Sequence, residues 1–363
     1  PHEFVIEQDV GGEAVSGLVV NDLVVRVGTA RLRMGGVGGV WTKKEHRKLG
    51  YSARCMAESV AMMRREGFAV SMLFGISDFY HRWGFVGCIP EPRCDVPLAQ
   101  AALALPVSGL RAVRYDPDRH RAGAARLDEA ARSGRSGSLV RRPGGRLFRM
   151  GSWWGIRAQA LVVLDRAGRV AGCAAFDKTG KDVNVVEAGA RDRRVLPALM
   201  AALAREGKRR RAEQVTLFLP HDHPLVEYAR RFTVKTSEAY YPNSQGMGRI
   251  VDLGRTLRGC AGELSRRLRA SALSGERVAL TLKTDIGAVR LFAAGGHMTV
   301  GEARAGPPAV RLPQGGLFQL LLGYRSVDDA AGERGVSIPA CALTALRALF
   351  PPGHPFLWRG DRF

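Results

Sequence analysis

The chain has 363 residues, 46% hydrophobic and 25% charged, an ordinary globular composition with room for two or three domains of ~100–200 residues each. No apolar run approaches the ~18–20 residues that cross a bilayer, and no signal-peptide pattern opens the chain, although Pro1-His2-Glu3 is not a natural start and Pro1 reads as lying downstream of the translation start. The net charge of +21 is spread over many arginines, and runs such as Lys208-Arg209-Arg210-Arg211 are short, so the excess reads as solvated basic faces and identifies no partner by itself.

Six cysteines (Cys55, Cys88, Cys94, Cys173, Cys260 and Cys341) are scattered without a CxxC pair. They read as reduced thiols of a cytoplasmic protein, with neither a disulfide framework nor a metal site.

The first 42 residues alternate like strands at Phe4–Ile6, Val15–Val20, Leu23–Val27 and Ala30–Val40, with turns expected at Gly11-Gly12 and Asn21-Asp22. A basic loop, Lys43–Gly50, leads into a helix over Ser52–Glu66 with Met56, Val60 and Met63 on one stripe and Gly67 as its C-terminal cap. A strand at Ala69–Ile76 and a short turn at Ser77–Trp83 follow. After a Pro- and Ala-rich stretch around Pro97–Pro106 the order partly repeats. The spacing predicts a helix at Asp116–Ala131, a hairpin at Ala158–Phe176, a strand at Val183–Ala188, a helix at Val195–Glu206, a strand at Val215–Leu219 and a helix at Pro224–Phe232. We read an internal duplication of one α/β unit. From Val251 the pattern becomes a small α+β module, with helices at Leu257–Leu268, Gly315–Leu322 and Ile338–Leu349 and a hairpin around Asp285-Ile286-Gly287.

The informative segment is Gly38-Gly39-Val40-Trp41-Thr42-Lys43-Lys44-Glu45-His46-Arg47-Lys48-Leu49-Gly50-Tyr51-Ser52. A strand runs into a basic loop that opens a helix. The first amides of a helix lack internal partners and carry the positive end of its dipole, so they bind anions. Gly50 lets backbone approach a phosphate, and Arg47 and Lys48 add cations. The pattern suits a pyrophosphate, yet neither a P-loop nor a dinucleotide GxGxxG is present.

Arg47–Ser52 resembles the [Arg/Gln]-x-x-Gly-x-[Gly/Ala] acetyl-CoA loop of the GNAT acetyltransferases, with Ser in the last place. Tyr80-His81-Arg82-Trp83-Gly84-Phe85 resembles the Y-x-x-x-G-F signature that closes their core. Asp222-His223-Pro224, Asn243 with Gly246–Ile250, and the terminal Asp361-Arg362-Phe363 are similar to the enhanced-intracellular-survival (Eis) family. That resemblance implies a mixed α/β and α+β chain: a catalytic GNAT unit over 1–112, a degenerate second GNAT unit over 113–250 and a sterol-carrier-protein-like domain over 251–363. The helices that normally precede the second strand of the first unit are absent. At the place equivalent to the loop, the second unit reads Ala190-Arg191-Asp192-Arg193-Arg194, without glycine and with a negative charge where phosphate would sit, so no cofactor is expected there.

The resemblance also implies roles. Acetyl-CoA would bind along Val40, Trp41, Thr42, Arg47, Lys48, Leu49, Gly50, Tyr51 and Ser52, with no metal. Tyr80 would be the general acid that protonates the thiolate, with His81 as a competitor, and the α-carboxylate of Phe363 would be the base. The expected partners are a small-molecule or lysine amine (an aminoglycoside-like compound, a polyamine or a protein lysine) and further copies of the chain, as in the hexamers the family often forms. Neither a membrane nor nucleic acid is expected. The rival reading is an inactive scaffold that binds nucleic acid through its charge or lipid through Leu317, Phe318 and Leu320–Leu322, residues that otherwise fill a core.

Overall fold

The computed structural model describes residues 2–141, 147, 158–177 and 179–363. Pro1 lies outside them. Strands β1 (Glu3–Val10), β2 (Glu13–Val27) and β3 (Ala30–Thr42) form an antiparallel meander. Helix α1 (Tyr51–Arg65) crosses over to β4 (Val70–Gly75), which pairs parallel to β3, and β5 (Val86–Ile89) follows. Gly67 ends the helical segment with φ +78°, a conformation that suits glycine.

The expected turn at Asn21-Asp22 is instead the middle of β2. The Asn21 amide donates to Gly36 O at 3.1 Å, and Asp22 accepts from the Arg33 guanidinium at 2.8 Å. Both turn-prone side chains thus find partners across the strand pair, which removes their reason to bend the chain.

The chain then moves to a second sheet. Strand β6 (Glu91–Pro97) and α2 (Leu98–Ala101) precede β7 (Arg111–Arg114), α3 (Pro117–Arg132), β8 (Ala158–Leu164), β9 (Val170–Asp177) and β10 (Val183–Ala190). Helix α4 (Leu196–Arg210) leads to β11 (Gln214–Leu217), parallel to β10, and α5 (Pro224–Ala229) leads to β12 (Lys235–Ala239). Strand β13 (Gln245–Ile250) returns to the first sheet. The sheet orders are β1-β2-β3-β4-β13-β5 and β12-β6-β11-β10-β9-β8-β7. Sheet membership therefore does not follow the expected boundaries at 112 and 250. Strands β6 and β7 sit in the second sheet, and β13 fills a place in the first.

The C-terminal segment comprises α6 (Leu253–Arg269), β14 (Val278–Thr284), β15 (Gly287–Ala294), β16 (His297–Glu302), β17 (Ala309–Arg311), α7 (Gln314–Leu322), α8 (Val327–Ala331) and α9 (Ala340–Leu349), with sheet order β16-β15-β14-β17. Helix α6 starts a turn earlier than its apolar stripe predicts, because Asp252 caps it by accepting from Arg255 N at 2.7 Å. Its buried stripe of Leu253, Leu257, Cys260, Leu264 and Leu268 belongs to one apolar cluster with Met34 and Val70 of the first sheet and Leu280 and Leu291 of the third. Each fully buried leucine contributes ~1.5–3 kcal/mol. The C-terminal module therefore shares its core with the first sheet. In α7, Leu317, Phe318 and Leu320–Leu322 are all buried, and Phe318 packs on Gly248 of β13, where a Cβ would stand 2.3 Å from its ring.

Candidate active site at the fork between β3 and β4

Strands β3 and β4 pair only from Met34↔Val70 to Val37↔Leu73. Beyond that point β3 runs on to Thr42 while β4 stops at Gly75. On the other side of β3, Val19 pairs with Gly38 and Gly17 with Trp41. Gly39 and Val40 thus stand opposite the single residue Leu18, a bulge with Gly39 at φ +59°. Such a bulge bends a strand, and it lies just beyond Val37, where the pairing with β4 has ended. The result is a fork whose open side carries Gly38–Thr42 on one arm and Phe74–Gly75 on the other.

The basic loop leaves the β3 arm. A 3-10 turn at Lys44–His46 leads to Arg47, whose Nε donates to Thr42 O at 3.4 Å, and then to Lys48 and Gly50, both with left-handed backbone at φ +65° and +85°. A Cβ on Gly50 would meet nothing within 4 Å, so its glycine is required by φ and not by crowding. Helix α1 starts at Tyr51. No side chain caps it, and no acidic residue stands in its first turn. Its leading amides and positive dipole end are left for an anion. Arg47, Lys48, Leu49 and Gly50 are exposed, and the Arg54 guanidinium stacks on Tyr51, 5.4 Å from the ring centroid. The expected phosphate-binding residues are therefore gathered at one helix end, and the donor set fits a pyrophosphate.

Tyr80 opens a 3-10 turn, Tyr80–Trp83, beyond β4. Its ring is buried against Gly75, where a Cβ would stand 2.4 Å from it, and edge-on to Phe79 at 4.9 Å. The turn ahead of it is tied to the segment before β13: Asn243 Nδ2 donates to Asp78 Oδ1 at 3.2 Å, and Asp78 N donates to Asn243 O at 3.0 Å. Burial pushes the Tyr80 phenol above the usual tyrosine range, so it keeps its proton at neutral pH. Its neighbour His81 is exposed.

The C-terminus enters from the other side. The Phe363 ring lies on Gly36, where a Cβ would meet it at 2.8 Å, and edge-on to Phe74 at 6.2 Å between centroids. Its carboxyl carbon lies on Gly38, where a Cβ would come within 2.9 Å. The Asn21 amide nitrogen flanks the same spot, 3.9 Å from that Cβ position. Side chains alternate along a strand. Gly35 and Val37 face α1, with the Met63 sulfur 2.2 Å from a Cβ placed on Gly35, and Tyr80 packs in the same apolar cluster as Val37, Leu73 and Met56. Gly36 and Gly38 face the tail. Tyr80 and the Phe363 carboxyl thus reach the fork from opposite faces of the sheet.

Reading the sequence missed Asn21 and Phe74 as site residues, and although Gly38-Gly39 open the informative segment, it did not read the β3 glycines as places of close approach. The signal for the glycines was available: Gly35, Gly36, Gly38 and Gly39 lie in one strand, and glycine in a strand marks close approach of another group. Asn21 carried a turn signal that pointed away from this role, and Phe74 carried none.

The second sheet differs at the equivalent place. After β10, Asp192 Oδ1 accepts from Arg194 N at 2.9 Å and so caps the turn at Arg193–Val195 from within. Arg191 pairs with Asp165 at 2.9 Å. The turn that leads into α4 thus already has a carboxylate on one of its amides. Among the described residues no group of three or more His, Cys, Asp or Glu side chains gathers as a metal site would need, and no helix is long and apolar enough to cross a membrane.

Residues 1–87 match the Acetyltransferase (GNAT) domain. This segment is a GNAT acetyltransferase domain. It holds β1–β4, the fork, the basic loop and Tyr80, and by that domain the chain is an acyltransferase. The whole fold is similar to a conserved protein of Enterococcus faecalis V583 (“Probable N-Acyltransferase”; TM-score 0.75, 16% identity, covering 100% of this chain and 90% of that one). It is also similar to a GCN5-related N-acetyltransferase from Kribbella flavida (TM-score 0.72, 19% identity, 97% and 85% covered). Eis1 from Mycobacterium abscessus aligns with a TM-score of 0.69 at 18% identity, over 99% of this chain and 91% of its own. At such identities the likeness is one of fold. No curated protein matches the sequence.

Proposed function

We propose that the chain transfers the acetyl group of acetyl-CoA to a primary amine at the fork between β3 and β4. The observation that carries this reading is the approach of Tyr80 and the Phe363 carboxyl from opposite faces of the acetyltransferase domain's sheet. Acetyl transfer to an amine needs a base on the side of the incoming nitrogen and an acid on the side of the departing sulfur. Two such groups on two faces meet that need without quenching each other.

The residues divide the work as follows. The amides leading α1, with Arg47, Lys48, Leu49, Gly50, Tyr51 and Ser52, hold the pyrophosphate of acetyl-CoA. The co-substrate supplies an acetyl thioester, and the amides around Val40, Trp41 and Thr42 polarise its carbonyl. The Phe363 carboxylate takes the amine proton, directly or through a water. Tyr80, kept protonated by burial, donates to the departing thiolate. The second sheet, whose turn is capped by Asp192, binds no acetyl-CoA.

Likeness to Eis1 in fold, together with Asp361-Arg362-Phe363 and the Asn243 turn, supports an Eis-like tandem arrangement with a sterol-carrier-like C-terminal domain whose leucines fill a core. The acceptor is then an aminoglycoside-like compound, a polyamine or a lysine, and the protein assembles as a closed homo-oligomer, such as a hexamer. Light scattering that finds a monomer at micromolar concentration would overturn the assembly. Calorimetric titration with acetyl-CoA tests the core of the reading: one site per chain is expected, and two sites or none would overturn it.

A further inference from the structure

The tail that carries Phe363 is held by a buried ionic cluster outside the acetyltransferase domain. Asp361 accepts from Arg132 Nη1 through one oxygen and from Arg141 Nε at 2.8 Å through the other. Arg132 Nε also donates to Asp128 at 2.8 Å, and Arg141 Nη2 donates to Glu187 at 2.5 Å. Arg132 and Asp128 stand on α3, one turn apart, and Glu187 stands on β10. The Arg132 side chain has 0% exposure, Glu187 3%, and Asp128 and Asp361 9% each. The Trp358 ring, itself buried, covers the Arg132 guanidinium at 4.4 Å.

Three carboxylates and two guanidiniums in such a place are expensive to desolvate and weak evidence of stability. Fork-shaped guanidiniums are nonetheless well suited to fixing a carboxylate in orientation. Burial pushes the Asp361 carboxyl up, and Arg132 and Arg141 more than offset it, so Asp361 stays ionised. Phe363 lies two residues on, ~7 Å of chain at most. Between them, Arg362 pairs with Glu91 and stacks over Phe74, 4.5 Å from its centroid. Arg359, one turn earlier, lies over Phe218 at 3.5 Å.

We infer that Arg132 and Arg141, held by Asp128 and Glu187, are positioning residues for the Phe363 carboxylate, acting through Asp361. The unit that lacks a cofactor loop of its own thereby serves the reaction in the first unit as a clamp on the chain end. This rests on the reading of that carboxylate as the base. A base must stand within hydrogen-bond reach of its proton, and misplacement by ~1 Å costs about 100-fold in rate.

The test compares Asp361→Asn, a chain lacking Phe363, and the double variant. Acetyl-CoA affinity and stoichiometry report the folded fraction. The clamp predicts that Asp361→Asn binds acetyl-CoA like the parent but loses roughly 10- to 100-fold in kcat/KM for a primary amine near pH 7. The deficit should close toward about pH 10, where the amine sheds its own proton. The double variant should be no worse than the chain lacking Phe363, since both act through one group. A deficit that is equal at every pH, or losses that add in the double variant, would reduce the cluster to a structural role and overturn the inference. Full activity of Asp361→Asn beside a crippled chain lacking Phe363 overturns the clamp and leaves the base. Full activity of the chain lacking Phe363 overturns the base and the clamp with it. Should Asp361→Asn fail to fold, Arg141→Lys is read the same way. It keeps the charge at a side chain with 15% exposure and loses the planar fork.

Discussion

The Phe363 carboxyl carbon rests on Gly38 so closely that a Cβ there would lie 2.9 Å from it. Real Cβ atoms essentially never come so near, so an alanine there must displace the terminal carboxyl against the contacts that hold Asp361 and Arg362. Gly38→Ala should therefore push the carboxyl away from the fork and lower amine kcat/KM by about 100-fold. Acetyl-CoA affinity should stay within a few-fold, because the loop at Arg47–Ser52 is untouched. Steady-state kinetics beside calorimetry measures both. A variant that keeps full activity would mean the carboxyl is not needed where it lies.

Tyr80→Phe keeps the ring that packs on Gly75 and Phe79 and removes only the proton. Turnover should fall ~10²–10⁴-fold with acetyl-CoA binding retained and melting little changed. Unchanged turnover would make Tyr80 a packing residue and move the acid role to His81.

Gly50 separates conformation from charge. Gly50→Ala forces an L side chain to φ +85° without a clash, at a cost of ~1–2 kcal/mol, which a small drop in melting temperature reports. Gly50→Asp carries the same strain and adds a carboxylate at the leading amides of α1. It should weaken acetyl-CoA far more than the alanine does. Equal affinities for the two variants would show that the phosphates lie elsewhere.

The basic loop and the tyrosine were legible because each depends on neighbours in sequence: a strand end, a glycine with positive φ and a helix start. The exchange of β6 and β13 between sheets was not. A strand's periodicity tells which face is buried but names no partner, and Gln245–Ile250 reads the same beside β4 and β5 as beside β11. The turn expected at Asn21-Asp22 failed because Gly36 and Arg33, distant in sequence, satisfied both side chains. The cluster of Asp128, Arg132, Arg141, Glu187 and Asp361 was hidden for the same reason. In a chain with net charge +21, single charged residues carry no mark of burial.

Buried His223 gives a pH signature. It caps α5 by accepting from Leu225 N at 3.2 Å, and its other ring nitrogen bonds Ala188 O at 3.1 Å. Burial pushes its pKa down to about 4, against ~6.5 in the unfolded chain. Only the unfolded state takes up a proton between those values. Its contribution to stability is therefore complete above ~6.5 and is lost as pH falls toward about 4, by roughly 3 kcal/mol at most. His223→Asn keeps a capping acceptor and cannot titrate. Its melting temperature should fall less steeply over that window than the parent's, and parallel curves would reject the assignment.

The central claim is that the Phe363 carboxylate works in the active site at the fork between β3 and β4. It is tested most directly by the rate of acetyl-CoA-dependent amine acetylation for two proteins, one ending at Phe363 and one with residues appended after it. The appended chain turns the carboxylate into a neutral amide at the same place on Gly38. We predict a loss of about 100-fold or more with acetyl-CoA affinity unchanged, in line with removal of a general base. Equal rates for the two proteins would contradict the account.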